Sequence, residues 1–350
     1  MHRARQGGFC TVWLPEDHRH AEATHSCHMV RPLPVVDIVY VRDIRESFGD
    51  DRPLRRAVRA GDTARIHRGA YVSLDSWRQL DVDDRHRHQA LAAAHASRSH
   101  PTLSHHSAAL IWGIPVVDDH PKVVHVLSTP ATGTRSEGGF RRHATQFPAI
   151  GLIEVDGVSV TNLERTLVEF TVDNSFRSAV AALDWAFGSE RRDGPPRTTK
   201  ESVLGMAAQL RLVKGGRKLQ RALEFADPRS GSPGESLSRA VMHEQRFPVP
   251  QLQTEFRDAR GLIGYVDFWW PDYNLIGEFD GRVKYMDLDI LKGKTPAEVV
   301  ISEKQREDRL RALGPRVTRW DWLTMLRGLP EHLVDAGLPV GGARSGRSRT

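Results

Sequence analysis

Residues 264–281 read Gly-Tyr-Val-Asp-Phe-Trp-Trp-Pro-Asp-Tyr-Asn-Leu-Ile-Gly-Glu-Phe-Asp-Gly, and the interpretation of the whole chain starts from this stretch. Its β-branched and aromatic residues predict a first strand over about 262–270. Pro271 to Asn274 has turn chemistry, because proline presets φ and Asp and Asn side chains bond their own backbone. A second strand is predicted over about 275–280, with a glycine directly after it. The stretch therefore predicts a β-hairpin.

Three acidic residues lie inside this hairpin, although acids are depleted in strands. Asp267 is on the first strand, and Glu278 and Asp280 are on the second. Strand alternation puts Glu278 and Asp280 on one face, and the hairpin could bring Asp267 beside them. Converging carboxylates repel one another unless a cation or a proton lies between them, and hard oxygen ligands suit Mg²⁺ or Mn²⁺. The alternative is that the acids face solvent on an edge hairpin and pair with nearby arginines.

The pattern continues on both sides of the hairpin. Asp267, the run Glu278-Phe-Asp-Gly and the pair Lys284-Tyr285 together resemble the PD-(D/E)XK nuclease superfamily, and most closely its branch similar to very-short-patch repair endonucleases. Three further segments resemble the first helix, a late helix and the last core strand of that fold: 232–239, 305–314 and 316–320. The resemblance covers about 230–328. It implies an α/β restriction-endonuclease-like domain with a central mixed sheet flanked by helices.

The same resemblance implies a metal-dependent site. Mg²⁺ (or Mn²⁺) would be held by Asp267, Glu278 and the main-chain carbonyl of Phe279, and would polarise a phosphate and activate a water molecule. Glu235 would orient water or a second ion, although Ser232 and Glu235 also have the spacing of a helix capping box. The catalytic candidates are Glu235, Asp267, Glu278, Asp280 and Lys284.

One position departs from the superfamily pattern. A lysine usually stands two residues after the glutamate, and here that position is Asp280. Asp280 could add a metal ligand or hold a cationic partner. The cation that orients the attacking water would then come from Lys284, Lys304 or Arg309. Arg306 and Arg309 are the arginines that could neutralise phosphate charge.

A second informative segment covers residues 37–75. A short helix over 43–48 and a basic helix over 52–61 precede a predicted hairpin over 63–72, with Gly69 at or near its turn. Helix, basic helix and basic hairpin is the layout of a winged helix-turn-helix, in which the second helix enters the major groove. The alternative is that the arginine-rich helix is only a solvated face.

The segment 54–72 resembles the N-terminal winged helix of AbiEi-type antitoxins, which belong to type IV toxin–antitoxin systems. The resemblance continues through 103–115 and 160–168. It implies binding to promoter DNA, repression of the protein's own operon and a cognate toxin as a possible partner. DNA contacts are assigned to the basic positions Arg52, Arg55, Arg56, Arg59, Arg65 and Arg68.

Residues 76–187 predict an α+β middle domain. Its predicted elements are helices over 90–96 and 104–113, a strand over 122–128, a hairpin over 153–160 and helices over 162–170 and 177–187. His105 and His106 begin one of these helices beside Ser104, and their interpretation is structural. We predict a linker with a connector helix over residues 188–229 and the nuclease-like domain over residues 230–330. A disordered leader is predicted over residues 1–36 and a disordered tail over residues 331–350.

Composition is that of a globular protein, with 39% hydrophobic and 27% charged residues. The net charge is +6, and arginine supplies 42 of the 50 basic residues, so binding to double-stranded DNA is permitted. The two cysteines, Cys10 and Cys27, form no disulfide framework, and we expect a reducing cytoplasm. Neither a membrane span nor a signal peptide is predicted. The His and Cys residues of the leader fit no zinc pattern.

Three functions remain open from the sequence. The first is a winged-helix protein fused to an active Mg²⁺-dependent endodeoxyribonuclease, with a role in phage defence or a toxin–antitoxin system. The second is a transcriptional regulator or antitoxin whose nuclease-like domain is catalytically inactive. The third is a mismatch-repair or nicking activity like that of very-short-patch repair endonucleases. The sequence leaves the oligomeric state undetermined.

Overall fold

The computed structural model describes residues 32–117, 120–130, 138–189, 194–212, 214–281 and 296–341. The chain divides into two compact units. The first comprises residues up to Ser175 together with Arg197–Arg221, and the second comprises Phe176–Pro196 together with the chain from Ala222 onward. Among the helices in these ranges, none combines the length and the apolar character that crossing a membrane would require. The leader cysteines and histidines, Lys284 and residues 342–350 lie outside the described residues.

The first unit begins with a small sheet and two helices. The two helices and the hairpin follow the predicted order, whereas the first strand was not predicted from the sequence. The elements are β1 (Ile38–Tyr40), α1 (Val41–Phe48), α2 (Arg52–Ala60), β2 (Thr63–His67) and β3 (Ala70–Ser73). The strand order is β1-β3-β2, and both neighbouring pairs are antiparallel. Leu54 of α2 is buried, whereas Val58 is 41% exposed, so α2 contacts the core mainly through Leu54. Val36 packs against the core of this sheet, so the predicted disordered leader ends earlier than residue 36.

The remainder of the first unit contains most of the predicted middle-domain elements, together with a helix over 74–79 and a strand over 140–144 that were not predicted. The elements are α3 (Leu74–Gln79), α4 (Val82–Ala96), α5 (His105–Trp112), β4 (Val124–Ser128), β5 (Phe140–Ala144), β6 (Leu152–Val155), β7 (Val158–Thr161) and α6 (Leu163–Asp173). β4 and β5 are parallel, and β6 and β7 form an antiparallel hairpin around Asp156-Gly157, as the sequence predicted. Leu103 bridges to both Val126 and Val160, which joins the two pairs.

The boundary between the units differs from the sequence-based one. Helix α7 (Phe176–Phe187) was predicted to complete the middle domain, but it belongs to the second unit. A buried ion pair explains this placement, because Asp184 of α7 lies 2.7 Å from Arg239 in the second unit. Burial raises the pKa of Asp184 to about 6, and the attraction of Arg239 opposes that rise. The predicted single connector helix is two helices, α8 (Lys200–Gln209) and α9 (Gly216–Phe225).

The second unit is built on a four-stranded mixed sheet. Its elements are α10 (Pro233–Glu244), β8 (Gln251–Asp258), β9 (Gly261–Trp270), β10 (Leu275–Asp280), α11 (Pro296–Ala312), β11 (Arg316–Asp321), α12 (Trp322–Arg327) and α13 (Leu329–Asp335). The strand order is β11-β10-β9-β8, with β10 parallel to β11 and the other pairs antiparallel. Helix α10 packs against β10, and α11 packs against β9 and β11. The prediction of a mixed sheet flanked by helices is confirmed.

The predicted tail begins too early. Residues 331–341 were assigned to a disordered tail, but α13 continues to Asp335, and Leu333 and Leu338 are buried. These two leucines account for the difference, because their apolar side chains are removed from water by packing.

Close contact between α10 and β10 requires a glycine. A Cβ atom on Gly234, in the first turn of α10, would lie 2.0 Å from the ring of Phe279 on β10. Because Phe279 precedes Asp280 and follows Glu278, this contact sets how closely the helix carrying Glu235 approaches the acidic end of the strand. Trp320 of β11 reinforces the same face by donating its indole N–H to Ser238 Oγ at 2.9 Å.

We predict that Gly234→Ala destabilises the second unit by about 1–3 kcal/mol, because the added methyl group overpacks the α10–β10 contact. Hydrogen exchange of peptides from α10 and β10 would measure this as lost protection. Gly205→Ala is the matched control, since a Cβ atom there meets nothing within 4 Å inside α8. The control should leave protection unchanged or raise it. Equal protection in Gly234→Ala and the unmodified chain would contradict the role given to this contact.

Candidate functional site

The acidic hairpin forms as predicted. β9 and β10 pair through Leu275 with Trp270, Ile276 with Trp269 and Gly277 with Phe268. Past this point the Phe279 amide donates to Asp267 Oδ2 at 2.9 Å instead of to a backbone carbonyl of β9. The Asp267 carboxylate therefore lies between the two strands where their pairing ends, bound to the residue that follows Glu278.

Glu235 reaches the same end of the sheet from the first turn of α10. It is buried, and its carboxylate accepts hydrogen bonds from the Gly231 amide at 2.9 Å and from Ser232 Oγ at 2.8 Å. Ser232 in turn accepts from the Glu235 amide at 3.2 Å. The predicted capping interaction between Ser232 and Glu235 is thus present, and it holds the carboxylate in one orientation.

Gln253 links Glu235 to Asp267. Its Nε2 atom donates to Glu235 Oε2 at 3.0 Å and to Asp267 Oδ1 at 3.1 Å. Gln253 lies on β8 with a positive φ of 49°, a conformation that costs energy for a residue with a side chain. Sequence analysis missed this residue, because an uncharged glutamine in a strand carries no signal that distinguishes it from a surface position.

Glu278 is compensated by two arginines. Glu278 Oε1 lies 2.8 Å from Arg306 Nη2, and Glu278 Oε2 lies 2.7 Å from Arg319 Nη2. The parallel register of β10 and β11 makes Arg319 the direct neighbour of Glu278, and Arg306 comes from α11. Burial by itself would lower the pKa of Arg306, but the nearby Glu278 outweighs it and the pKa is raised. Arg306 was predicted to face phosphate, whereas Arg319 was not identified from the sequence.

A second glycine makes room for Arg306. Gly264 of β9 has a φ of 149°, and a Cβ atom there would lie 3.0 Å from Arg306 Nε. With the glycine in place, Arg306 Nη2 donates to the Tyr265 carbonyl at 2.7 Å. The guanidinium group therefore lies across the strand edge with one nitrogen directed at Glu278.

The other predicted members of the site are distributed differently. Asp280 shares a face with Glu278 and pairs in register with Asp321 of β11. Lys304 is exposed on α11. Arg309 binds Asp258 through two hydrogen bonds of 2.8 and 2.7 Å, and these bonds lower the pKa of the Asp258 carboxyl. Since Arg309 is engaged at the β8–β9 turn, the cations beside Glu278 are Arg306 and Arg319.

The possible ligand atoms at this end of the sheet are of the type that a hard cation binds. Glu235, Asp267, Glu278 and the Phe279 carbonyl offer only oxygen, which Mg²⁺ and Mn²⁺ prefer. Within the described residues, however, the sets of three His, Cys or acidic residues with ligand atoms within 4.8 Å of one another include neither Asp267 nor Glu278. Because both carboxylate oxygens of Glu278 are paired with arginines, an ion at Asp267 and Glu278 would have to displace a guanidinium group.

The basic positions of the first unit lie on its surface. Arg52 and Arg55 pair at 2.8 Å with Asp50 and Asp51, so their charges are partly compensated. The other predicted DNA-contacting residues are exposed on α2, β2 and the β2–β3 turn: Arg56, Arg59, Arg65 and Arg68. No ion pair involves these four arginines in the part of the chain that the structure describes.

A cluster of histidines in the first unit was not predicted. The rings of His105 and His143 stack with centroids 3.5 Å apart, and His143 Nε2 lies 3.1 Å from His125 Nδ1. Burial lowers the pKa of all three imidazoles, that of His143 to about 4, so each is neutral at pH 7. His105 and His143 line a cavity of about 500 Å³. The sequence showed only His105 beside His106, since the partners come from β4 and β5.

Comparison with known proteins gives no functional assignment. No family model matches the chain. It is similar to two proteins of Mycobacterium tuberculosis, uncharacterized protein MT2308 of strain CDC 1551 / Oshkosh and uncharacterized protein Rv2248 of strain ATCC 25618 / H37Rv. In each case the identity is 29% over 208 residues, which covers 59% of this chain and 69% of the relative.

We predict that Arg306→Met destabilises the second unit by about 1–3 kcal/mol, because it leaves a buried carboxylate with one cation fewer. Arg311→Met is the control, since Arg311 also pairs with a glutamate but is 51% exposed, and it should cost less than about 1 kcal/mol. Unfolding followed by hydrogen exchange in β10 would measure both. In a double-mutant cycle, Glu278→Gln should remove most of the cost of Arg306→Met. Additive costs would show that Arg306 acts through other contacts.

Proposed function

We propose that the second unit is a Mg²⁺-dependent endodeoxyribonuclease domain that hydrolyses phosphodiester bonds in double-stranded DNA. The observation that carries this proposal is the linkage of Glu235 to Asp267 through Gln253, at the point where β9 and β10 separate beside Glu278. Glu235 and Asp267 share one amide donor, Gln253, and Glu278 directly precedes Phe279, whose backbone amide donates to Asp267. A structural role alone does not require three carboxylates at one end of an otherwise apolar strand pair.

The chain's own residues would divide the work as follows. Asp267, Glu278 and the Phe279 carbonyl would hold the metal ion, and the ion would polarise the phosphate and lower the pKa of a bound water. Gln253 would keep the Asp267 and Glu235 carboxylates in position, and Glu235 would accept a hydrogen bond from the attacking water.

Arg306 and Arg319 would compensate Glu278 before the ion binds and face the phosphate afterwards. The geometry of Arg319 supports this exchange. Its Nε and Nη2 atoms are buried and, within the described residues, make no hydrogen bond of normal geometry, although acidic oxygens lie within ion-pair distance. A guanidinium group held only by charge can turn toward a phosphate, which accepts two parallel N–H bonds.

A catalytically inactive regulator is the second candidate, and the same two arginines favour it. Both carboxylate oxygens of Glu278 are paired with guanidinium groups, and Asp280 stands where the nuclease superfamily usually has lysine. In that case the nuclease-like unit would serve as a binding scaffold. Gene regulation would then depend on the first unit.

For the first unit we propose DNA binding by a winged helix, with α2 in the major groove and the β2–β3 hairpin along the backbone. The exposed arginines of both elements support this arrangement, because guanidinium groups suit phosphate contacts. The combination fits a cytoplasmic protein of phage defence or of a type IV toxin–antitoxin system with a cognate toxin.

We predict that the purified full chain nicks or linearises supercoiled plasmid with Mg²⁺ or Mn²⁺ and not with EDTA. Glu278→Gln and Asp267→Asn should abolish cleavage, because each removes a charged metal ligand. Gln253→Ala should lower the rate about 10–100-fold by releasing the ligands it orients. Asp272→Asn is the matched control, since Asp272 is exposed in the turn of the same hairpin, and it should cut normally.

Each alternative outcome has a defined meaning. If the unmodified chain binds DNA without cutting it under any metal, the inactive regulator is favoured. Cleavage that persists in Glu278→Gln would mean that the activity does not come from this site. Cutting that requires a base mismatch would favour a repair activity.

We also predict that replacing Arg59 or Arg68 with alanine weakens DNA binding. If each contacts a phosphate, the slope of log binding constant against log salt should fall by about 1 per residue removed. Fluorescence anisotropy with a labelled duplex at several salt concentrations would measure the slope. Arg98→Ala is the control, as an exposed arginine after α4 that is not among the predicted DNA contacts. An unchanged slope in Arg59→Ala and Arg68→Ala would place the DNA elsewhere.

A further inference from the structure

The histidine cluster of the first unit has the composition and spacing of a metal site. The possible ligand atoms of His105, His143 and Asp173 all lie within 4.8 Å of one another. They come from three separate elements, α5, β5 and the end of α6. A set drawn from three elements requires the folded unit, so it would not exist in the unfolded chain.

In each of the two imidazole rings, one nitrogen has a polar partner and the other is left to bind an ion. His105 Nδ1 lies 3.1 Å from Ser104 Oγ and 3.4 Å from Glu169 Oε2, which leaves Nε2 as the donor to an ion. His143 Nε2 lies 3.1 Å from His125 Nδ1, which leaves Nδ1. Second partners of this kind orient the ligating imidazoles in protein metal sites. The His105 and His143 rings stack with their planes 17° apart, so their in-plane lone pairs run side by side, and binding of a shared ion requires one ring to turn out of the stack.

The supporting shell is more deeply buried than the ligands. Glu169, the acidic neighbour of His105, pairs with Arg165 at 2.7 Å, and only 1% of the Arg165 side chain is exposed. His105 itself has a positive φ of 49° at the start of α5, a strained conformation that the surrounding contacts maintain. The backbone that carries this ring is thus held in a conformation that costs energy.

The site opens to solvent on one side. His105, His143, Glu169 and Asp173 all line the cavity of about 500 Å³. Asp173 is at the exposed edge, where Arg141 lies 3.7 Å from its carboxylate, a loose contact that leaves oxygen atoms available. A second set, His106, His125 and Asp173, also meets the distance criterion, but His106 and His125 are buried and do not line the cavity. An ion entering from solvent therefore reaches the first set.

We propose that His105, His143 and Asp173 bind a divalent first-row transition metal ion, with an open coordination position facing the cavity. Two imidazoles and one carboxylate are a ligand set used for Zn²⁺ and related ions with open positions, and they disfavour Mg²⁺. This site is separate from the carboxylates of the second unit, and its existence does not depend on nuclease activity.

The test is a titration of the full chain with Co²⁺, followed by Zn²⁺ competition. In every protein used, the leader residues Cys10 and Cys27 are changed to serine, and the leader histidines to glutamine. Visible absorption should show one bound Co²⁺ with nitrogen and oxygen ligands, and Zn²⁺ should displace it. Mg²⁺ in excess should not, which separates the site from that of the second unit.

Asp173→Asn is the principal variant, because Asp173 is exposed and its change should leave the fold intact. Its Co²⁺ affinity should fall at least about 10-fold, and that of His143→Gln further. Glu169→Gln should weaken binding about 10–100-fold through the orientation of His105. Asp75→Asn and His100→Gln are the controls, being exposed residues of the same unit, and should bind as the parent does. Circular dichroism checks that each variant is folded.

The results divide cleanly. Loss of the Co²⁺ spectrum in Asp173→Asn and His143→Gln, with both controls unchanged, supports the site. No Co²⁺ spectrum in the parent chain overturns it and leaves the histidines as a neutral, packed cluster. Binding that is equal in the parent, Asp173→Asn and His143→Gln also overturns it, since the ion would then bind elsewhere.

Discussion

Charge compensation of Glu278 is the constraint on which the second unit depends. Its strand, β10, is otherwise buried and apolar over most of its length, and a carboxylate in that position is costly unless it is paired. The two compensating arginines arrive from different elements, Arg319 from the parallel neighbour β11 and Arg306 from α11. The same charge therefore joins a strand and a helix that are distant in sequence, and it requires Gly264 to leave space for one of the two guanidinium groups.

The opposite face of the sheet is organised by close packing instead of charge. Gly234 allows α10 to lie against Phe279, and the buried indole of Trp320 bonds to Ser238 of the same helix. This contact brings Glu235 next to Gln253 and Asp267. The ring of Phe279 is packed closely and has little freedom to adjust. It therefore fixes the spacing between Glu235, on α10, and Glu278, on β10.

The two units treat buried polar groups in contrasting ways. In the second, ionised groups of opposite sign face each other, as Glu278 does Arg306 and Arg319. In the first, histidines lose their charge through burial and meet one another as neutral rings. A neutral imidazole is a ligand for transition metals, whereas an oxygen cluster suits Mg²⁺. The chemistry that each unit can support therefore depends on whether its buried polar groups are paired charges or neutral rings.

The sequence determined much of the local structure. Turn residues and strand composition placed the 262–280 hairpin, helix signals placed α2, α5 and α6, and the Asp156-Gly157 pair placed the β6–β7 turn, because these signals act within a few residues. Strand alternation also brought out Asp267 and Glu278 as unusual acids. Local signals were less informative where contacts form at long range, as in the buried ion pair that places α7 in the second unit and the apolar packing of α13.

Only the tertiary structure decided which groups meet. Gln253, Arg319, His125 and His143 lie on strands where nothing in their neighbours marks them, and each gains its role from a residue that is 14 or more positions away, as Gln253 does from Asp267. Register and helix packing set these distances, and both depend on contacts across the whole unit. The acids themselves could be identified from the sequence. The arginines that balance them and the histidine cluster could not, because these groups are distant in sequence and only the fold brings them together.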